Sequence, residues 1–140
     1  MASRRLAREH ALQILFQLVM TGDDPETGLD LHWKGLDVDD ATRAFAERVV
    51  RGAIADAVRI DVLIREASEN WRLERMATVD RNVLRLAVFE LLSSDRTPDT
   101  VVINEALEIA KKFSTNESAQ FVNGVLDSIK NDLLQEREKQ

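Results

Sequence analysis

Arg4, Arg5 and Arg8 stand in the opening turns of an apolar segment, and at helical spacing Arg5 and Arg8 share a stripe with Leu12 and Phe16. Guanidinium groups interleaved with an aromatic ring can hold phosphates and stack on an unpaired base, chemistry that breaks no covalent bond. The placement is informative because the first turn of a helix carries partial positive charge and favours Asp or Glu. Here three arginines oppose that dipole with Glu9 as the only local compensation, in a chain of net charge −6. An anion-binding arm accounts for the pattern; a solvated helix start is the plainer alternative. A second group lies far along the chain, where Lys111, Lys112 and Phe113 precede a connection that leads to Phe121. Phe121 falls at the edge of an apolar stripe, a place for a peripheral core ring or for an exposed stacking surface.

Other chemistries find no support in the residue types. Zero cysteines exclude a disulfide framework and a thiolate metal site, and they are compatible with a reducing cytoplasm. His10 and His32 are the only histidines, so a His-ligated metal is not expected, nor is a cofactor. There is no nucleophile motif and no Gly-rich phosphate loop, and the scattered acids read as solvated faces, which makes an enzyme the least favoured class. Arg4 and Arg5 followed by ALQILFQLVM have the outline of a signal peptide. Gln13 and Gln17 interrupt that run at helical spacing, the acidic TGDDPE follows it, and it is too short to span a bilayer. It is therefore read as a first helix, with no membrane partner.

The elements that must carry these groups are all helical by pattern. With 140 residues, 44% hydrophobic and 31% charged, and only 5 Gly and 2 Pro, the chain suits one α-helical folding unit. Ala7, Ala11, Ile14, Leu15 and Leu18 form the core face of the first helix. Gly22, Pro25, Gly28 and Gly35 mark Thr21 to Asp39 as a long loop, tacked down by Leu29, Leu31 and Trp33. A second helix from about Asp40 to Ala53 presents Ala41, Phe45, Val49 and Ala53, and Gly52 with Asp56 marks a break. The third presents Ile60, Leu63, Ile64, Ala67 and Trp71.

Thr78 to Leu92 is the central helix. Val79, Val83, Leu86 and Ala87 make one side, and Leu84, Val88 and Leu91 widen it so far that several neighbours must cover it. Glu90 falls within that apolar side, so its carboxylate needs a donor from another element, and its loss should strand that donor at a cost of ~1 to 3 kcal/mol. Asp80, Arg81 and Arg85 lie on the other flank beside Leu84 and Val88, a mixed surface suited to a partner. Thr97 and Pro98 open the next helix, whose buried side is Val102, Ile103, Ala106, Ile109, Ala110 and Phe113 and whose wet side pairs Glu108 with Lys112. Ser114 to Glu117 reads as a capping box for the last helix, with Ala119, Val122, Val125, Leu126, Ile129 and Leu133 inward.

INEALEIAKKF (Ile103 to Phe113) followed by ESAQFVNGVLD (Glu117 to Asp127), together with DRNVLRLAVFEL and the N-terminal RRLAREHALQILF, resembles the NusB family of transcription antitermination factors. The resemblance runs from the first helix to the last, is weak between Thr21 and Arg59, and is most specific in the pairing of INEA with FVNGVLD. It implies an all-α fold, a helical bundle of two packed three-helix subdomains (about 1–72 and 73–140) within a single domain, 1–140. It also implies a cytoplasmic, non-enzymatic RNA-binding protein that joins the small ribosomal protein NusE. The pair would bind the single-stranded boxA element of nascent ribosomal RNA leaders, in an antitermination complex with RNA polymerase. By position, Arg4, Arg5, Arg8 and Phe16 match the family's basic first helix. Phe113, Glu117, Ser118 and Phe121, beside Lys112, match its RNA-facing loop, and Asp80, Arg81, Leu84 and Arg85 its NusE-facing helix. The sequence departs from the family at Leu6, within an arginine run that is often denser, and at Ser114, where glycine is common.

Two alternatives bear on this reading. NusB-like domains also front ribosomal RNA cytosine methyltransferases, but the chain leaves no room for a Rossmann-like catalytic domain. A helical protein-interaction module without RNA binding is the competitor that the residues themselves leave open, as they leave open monomer and homodimer. Within the RNA reading, an acidic chain with a local basic patch should bind RNA weakly alone and better beside a basic partner. Glu117 is expected to cap the last helix more than to accept from a base.

Overall fold

The computed structural model describes residues 3–68, 75–93 and 97–139, and among them stand seven helices and no strand. They are α1 (Arg4–Thr21), α2 (Pro25–Trp33), α3 (Asp40–Ala55), α4 (Ala57–Ala67), α5 (Thr78–Leu92), α6 (Asp99–Phe113) and α7 (Asn116–Glu138). The all-α expectation holds. The broad apolar girth of α5 puts it at the centre, with α1, α3, α4, α6 and α7 all packed on it. Around that hub α1 packs on α3, α6 on α7, and α4 reaches α7. Because neighbours also close over the side that carries Leu84 and Val88, both are 0% exposed. The flank expected to receive a partner is for the most part interior.

The seventh helix lies where a long loop is expected. Asp24 caps α2 by accepting from the Thr27 amide at 3.3 Å, Pro25 takes the first turn, and Glu26 complements the dipole there. Leu29 and Trp33, four residues apart, are buried against α1, whereas Leu31 is exposed. Gly28 is inside this helix because a Cβ there would run into the Leu18 side chain, not because the chain turns. Gly52 repeats the lesson: it sits within α3, where the Phe89 ring occupies the space of a side chain, and the break comes at Asp56. Close approach, not backbone freedom, explains both glycines.

Smaller differences have local causes. Ala41 is exposed and Thr42 is buried in its place, drawn in by Asp39, which accepts from its amide at 2.7 Å and its hydroxyl at 3.0 Å. Pro98 itself occupies the N-cap position of α6, its carbonyl accepting from Val101 and Val102, so the helix starts a residue later than the Thr–Pro pattern suggests. In α7 the cap is Thr115, whose hydroxyl accepts from the Ser118 amide at 3.0 Å; this displaces the expected Ser114–Glu117 box by one residue. Trp71 lies outside the described residues.

The two histidines join α1 to α2. His10 Nδ1 and His32 Nε2 are 2.9 Å apart, and both rings pack on Trp33 with centroids 5.0 and 4.8 Å away. One ring must donate and the other accept, so the contact requires at least one neutral imidazole. Burial holds both below the ordinary histidine value, and the His10 charge adds to the effect on His32, while Glu9 opposes it at His10. A base whose folded pKa is depressed binds fewer protons when folded, so stability rises with pH between the folded and unfolded values. The melting temperature should therefore fall as pH drops below ~6.5, the ordinary histidine value. His32→Phe, which keeps a ring but cannot titrate, should flatten that slope in scans at pH 5 to 7.5.

Candidate nucleic-acid interface

Ser3 caps α1 by accepting from the Leu6 amide at 3.1 Å, and no acid occupies the first turn. The arginines that follow go to three different places. Arg4 is exposed and lies over the Phe45 ring, 4.1 Å from its centroid, a cation–π contact that fixes it at the surface. Arg5 is exposed too, and its Nε and Nη2 donate to Glu105 Oε2 and Oε1 at 2.7 and 3.0 Å. This pair joins α1 to α6. A hydrogen bond and the charge of Arg5 hold the Glu105 carboxyl below the usual carboxylate range, and the same bond raises the Arg5 guanidinium.

Arg8 corrects an expectation. Its residue is only 7% exposed, and Nε and Nη2 donate to Glu90 Oε2 and Oε1 at 2.9 and 2.8 Å. The stripe it shares with Leu12 is covered because α3 and α5 pack on α1 there, bringing Val49, Val83, Leu86 and Ala87 around both residues together with Val102, Ala106 and Ile109 of α6. Arg8 is thus the donor that Glu90 required, and it does not stand beside Arg4 and Arg5 as a surface phosphate contact.

Lys112 extends the surface from the far side. Its Nζ donates to Glu9 Oε1 at 2.7 Å, not to Glu108, which pairs with Lys111. The same ammonium lies 5.4 Å from the centroid of the Phe113 ring. Phe113 and Phe16 face a common groove of about 540 Å³, which Leu12, Leu31, His32 and Val79 also line. The wall is mainly apolar, with Gln13 and Gln17 adding amides at its edge. Such a groove offers ring faces to a flat apolar group, with the Lys112 ammonium beside Phe113 and the Asp23 carboxylate also in its lining.

At the start of α7, Ser118 is half-buried and Glu117 exposed. Ser118 Oγ donates to Asp80 Oδ2 at 2.9 Å and accepts from Thr115 Oγ1 at 3.1 Å. Glu117 sits in the first turn with favourable dipole placement, but Thr115 makes the capping contact. Phe121 is half-buried against the core edge.

The Ser118–Asp80 bond brings together residues that sequence places in two separate sites. Asp80 is 7% exposed and Leu84 fully buried, so neither offers the open anchor expected of a partner face. Arg81 is half-buried, and Arg85 is held by Asp61 at 2.9 and 3.0 Å. What remains accessible there is a rim around Arg81 and Arg85. Glu9, Glu105 and Asp61 escape sequence reasoning as site residues because an acid on a wet helical face gives no sign of which cation another helix will bring to it. Among the described residues no three His, Cys, Asp or Glu side chains are placed to hold a metal ion, and no helix is long and apolar enough to cross a membrane.

Comparison with known proteins agrees along nearly the whole chain. Residues 5–131 match the family described as NusB family. The transcription antitermination protein NusB of Sorangium cellulosum (strain So ce56) is 45% identical over 133 residues, 95% of each chain. The solved structure of T. maritima NusB superimposes with a TM-score of 0.84 at 41% identity, covering 94% of this chain and 93% of that one. A crystal structure of the antitermination factors NusB and NusE in complex with dsRNA gives 0.82 at 27% identity, over 92% and 96%.

Proposed function

Because the chain belongs to the NusB family, we propose that it is a transcription antitermination factor that binds RNA together with NusE and enters the antitermination complex on RNA polymerase. It acts by binding and not by catalysis, and its place of work is the cytoplasm, on nascent transcripts. The observation that carries the RNA surface is the convergence of Arg5 and Lys112, from helices about 100 residues apart in sequence, on one face that adjoins the Phe16–Phe113 groove. With a division near residue 72, that face draws on both subdomains, so RNA lies across their junction. Arg4 continues it toward α3. Phe113 and Phe121, with Ser118 and Glu117 between them, supply ring faces and hydrogen-bonding groups to unpaired bases of a boxA element, a preference for single strands that follows from stacking.

Arg8 serves this surface from beneath by holding α1 on α5. NusE is assigned to the neighbouring rim of Arg81 and Arg85, where the Ser118–Asp80 bond makes the protein and RNA surfaces contiguous.

Titration of the NusE complex with RNA tests the assignment. Arg5→Ala should weaken binding to any RNA and flatten the log–log salt slope by about 0.7, one phosphate's worth on a single strand. Phe121→Ala and Phe113→Ala should leave that slope nearly intact while costing affinity for boxA over a scrambled sequence, by ~1 to 3 kcal/mol for a lost stack. A duplex of the same sequence should bind more weakly than the single strand. If Arg5→Ala changes neither affinity nor slope, the basic first helix is a solvated helix start and RNA travels elsewhere.

A further inference from the structure

We infer that Glu105 and Glu9 are positioning residues that set RNA specificity: each holds an outward-facing cation of the RNA surface in an ion pair between α1 and α6. The pairing cancels that cation's long-range attraction for phosphate while leaving it donors for a phosphate in contact. This inference rests on the RNA-binding reading above.

The two pairs run in opposite directions. The base of one, Arg5, is on α1 with its acid Glu105 on α6; the base of the other, Lys112, is on α6 with its acid Glu9 on α1. In both the acid is the more enclosed partner. Side-chain exposure is 54% for Arg5 against 20% for Glu105, and 60% for Lys112 against 14% for Glu9. A cation that swung out to follow RNA would strand a largely enclosed carboxylate, so the pairs stay closed and RNA meets them as they are.

Closed pairs still have hydrogen bonds to give. A guanidinium carries five N–H groups, and Arg5 spends only its Nε–Nη2 edge on Glu105, which leaves the Nη1 side for a phosphate oxygen. Lys112 has three N–H groups, of which one goes to Glu9. At a distance, however, each pair is nearly neutral, and the whole chain is at −6. A passing phosphate backbone therefore feels little attraction. Only an RNA that comes into contact, with bases seated on the Phe16 and Phe113 rings, collects the directed bonds. Neutralised cations favour the right ligand by withholding affinity from every other one.

Glu105→Gln and Glu9→Gln test this, since each keeps the shape and an acceptor oxygen but removes the charge. Both are measured in the NusE complex against a boxA RNA and an unrelated single strand across a salt series, with circular dichroism to check folding. Each variant should bind the unrelated strand about three- to tenfold more tightly at low salt. Its log–log slope should steepen by about 0.7, as one uncompensated positive charge requires. Affinity for boxA should rise less, so discrimination falls, and Glu105→Asp, which restores the charge, should restore the wild-type slope. A purely structural role predicts the reverse, weaker binding of both RNAs at an unchanged slope, and that result overturns the inference. The two pairs are separate, so if one variant fails to fold the other decides. If the wild type binds boxA and neither folded variant shifts the unrelated strand, this inference alone fails. If wild type and variants all bind no RNA, the RNA-binding reading fails with it.

Discussion

Replacing Glu90 with alanine is expected to lower the unfolding free energy by about 3 to 5 kcal/mol, because it leaves a guanidinium buried without its carboxylate. The ~1 to 3 kcal/mol anticipated for a carboxylate with an ordinary hydrogen-bond donor is too small here. The partner is Arg8, with side-chain exposures of 8% and 4% across the pair and two short bonds between them. Arg8→Ala should cost about as much, by stranding the anion. A pair swapped together behaves differently, since apolar residues of similar volume need no counter-charge: Arg8→Met with Glu90→Leu should recover most of the loss. Denaturant midpoints of the two single variants and the double variant form the check. An unchanged midpoint for Glu90→Ala would mean that water reaches the pair. The functional consequence is on α1, whose RNA-facing Arg4 and Arg5 are presented from the turn just before Arg8, so RNA affinity should decline in the singles and return in the double.

Leu84→Glu is expected to prevent folding, or to cost more than ~4 kcal/mol if a folded state survives. On sequence alone Leu84 is the apolar anchor of a partner face, where a charge would weaken the complex and spare the fold. The structure moves it to the interior at 0% exposure, on a helix enclosed by five others. The substitution then removes a packed leucine, worth roughly 2 to 5 kcal/mol even as Leu84→Ala, and adds a buried carboxylate with nothing to pair it. Against a total stability of about 5 to 15 kcal/mol, that is most of the reserve. Circular dichroism and thermal scans of the free protein give the answer. A variant that melts like the wild type while losing NusE would return Leu84 to the surface. Partner contacts are better sought with Arg81→Glu, at the accessible rim.

Much of the interior was legible before any coordinates. Ala7, Ala11, Ile14, Leu15 and Leu18, then Val102, Ile103, Ala106, Ile109 and Ala110, then Ala119, Val122, Val125, Leu126, Ile129 and Leu133 are all buried where their spacing puts them, whereas Phe113, on the same expected side of α6, is exposed at the helix end. Helical periodicity is a local property, and a stripe of apolar side chains must find cover whatever covers it. α2 was missed for an equally local reason. Its glycine and proline read as turn formers, although proline also opens helices and glycine also admits a neighbour, here Leu18.

What the amino-acid order determined by itself was six of the seven helices, most of their inward faces, the need of Glu90 for a donor, and the motif spacing that points to the family. The tertiary structure alone decided which charges meet: Arg8 with Glu90 across 82 positions, Arg5 with Glu105 across 100, Lys112 with Glu9 across 103. It also decided that Leu84 and Arg8 lie inside while Arg5 and Lys112 look out. The reason is that a period of 3.6 residues reports the direction of a side chain from its own helix axis, whereas exposure and charge pairing depend on how many other helices cross that direction. That number is set by the packing of five helices around α5, a sum of weak contacts between segments far apart in the chain, which no single window of sequence contains.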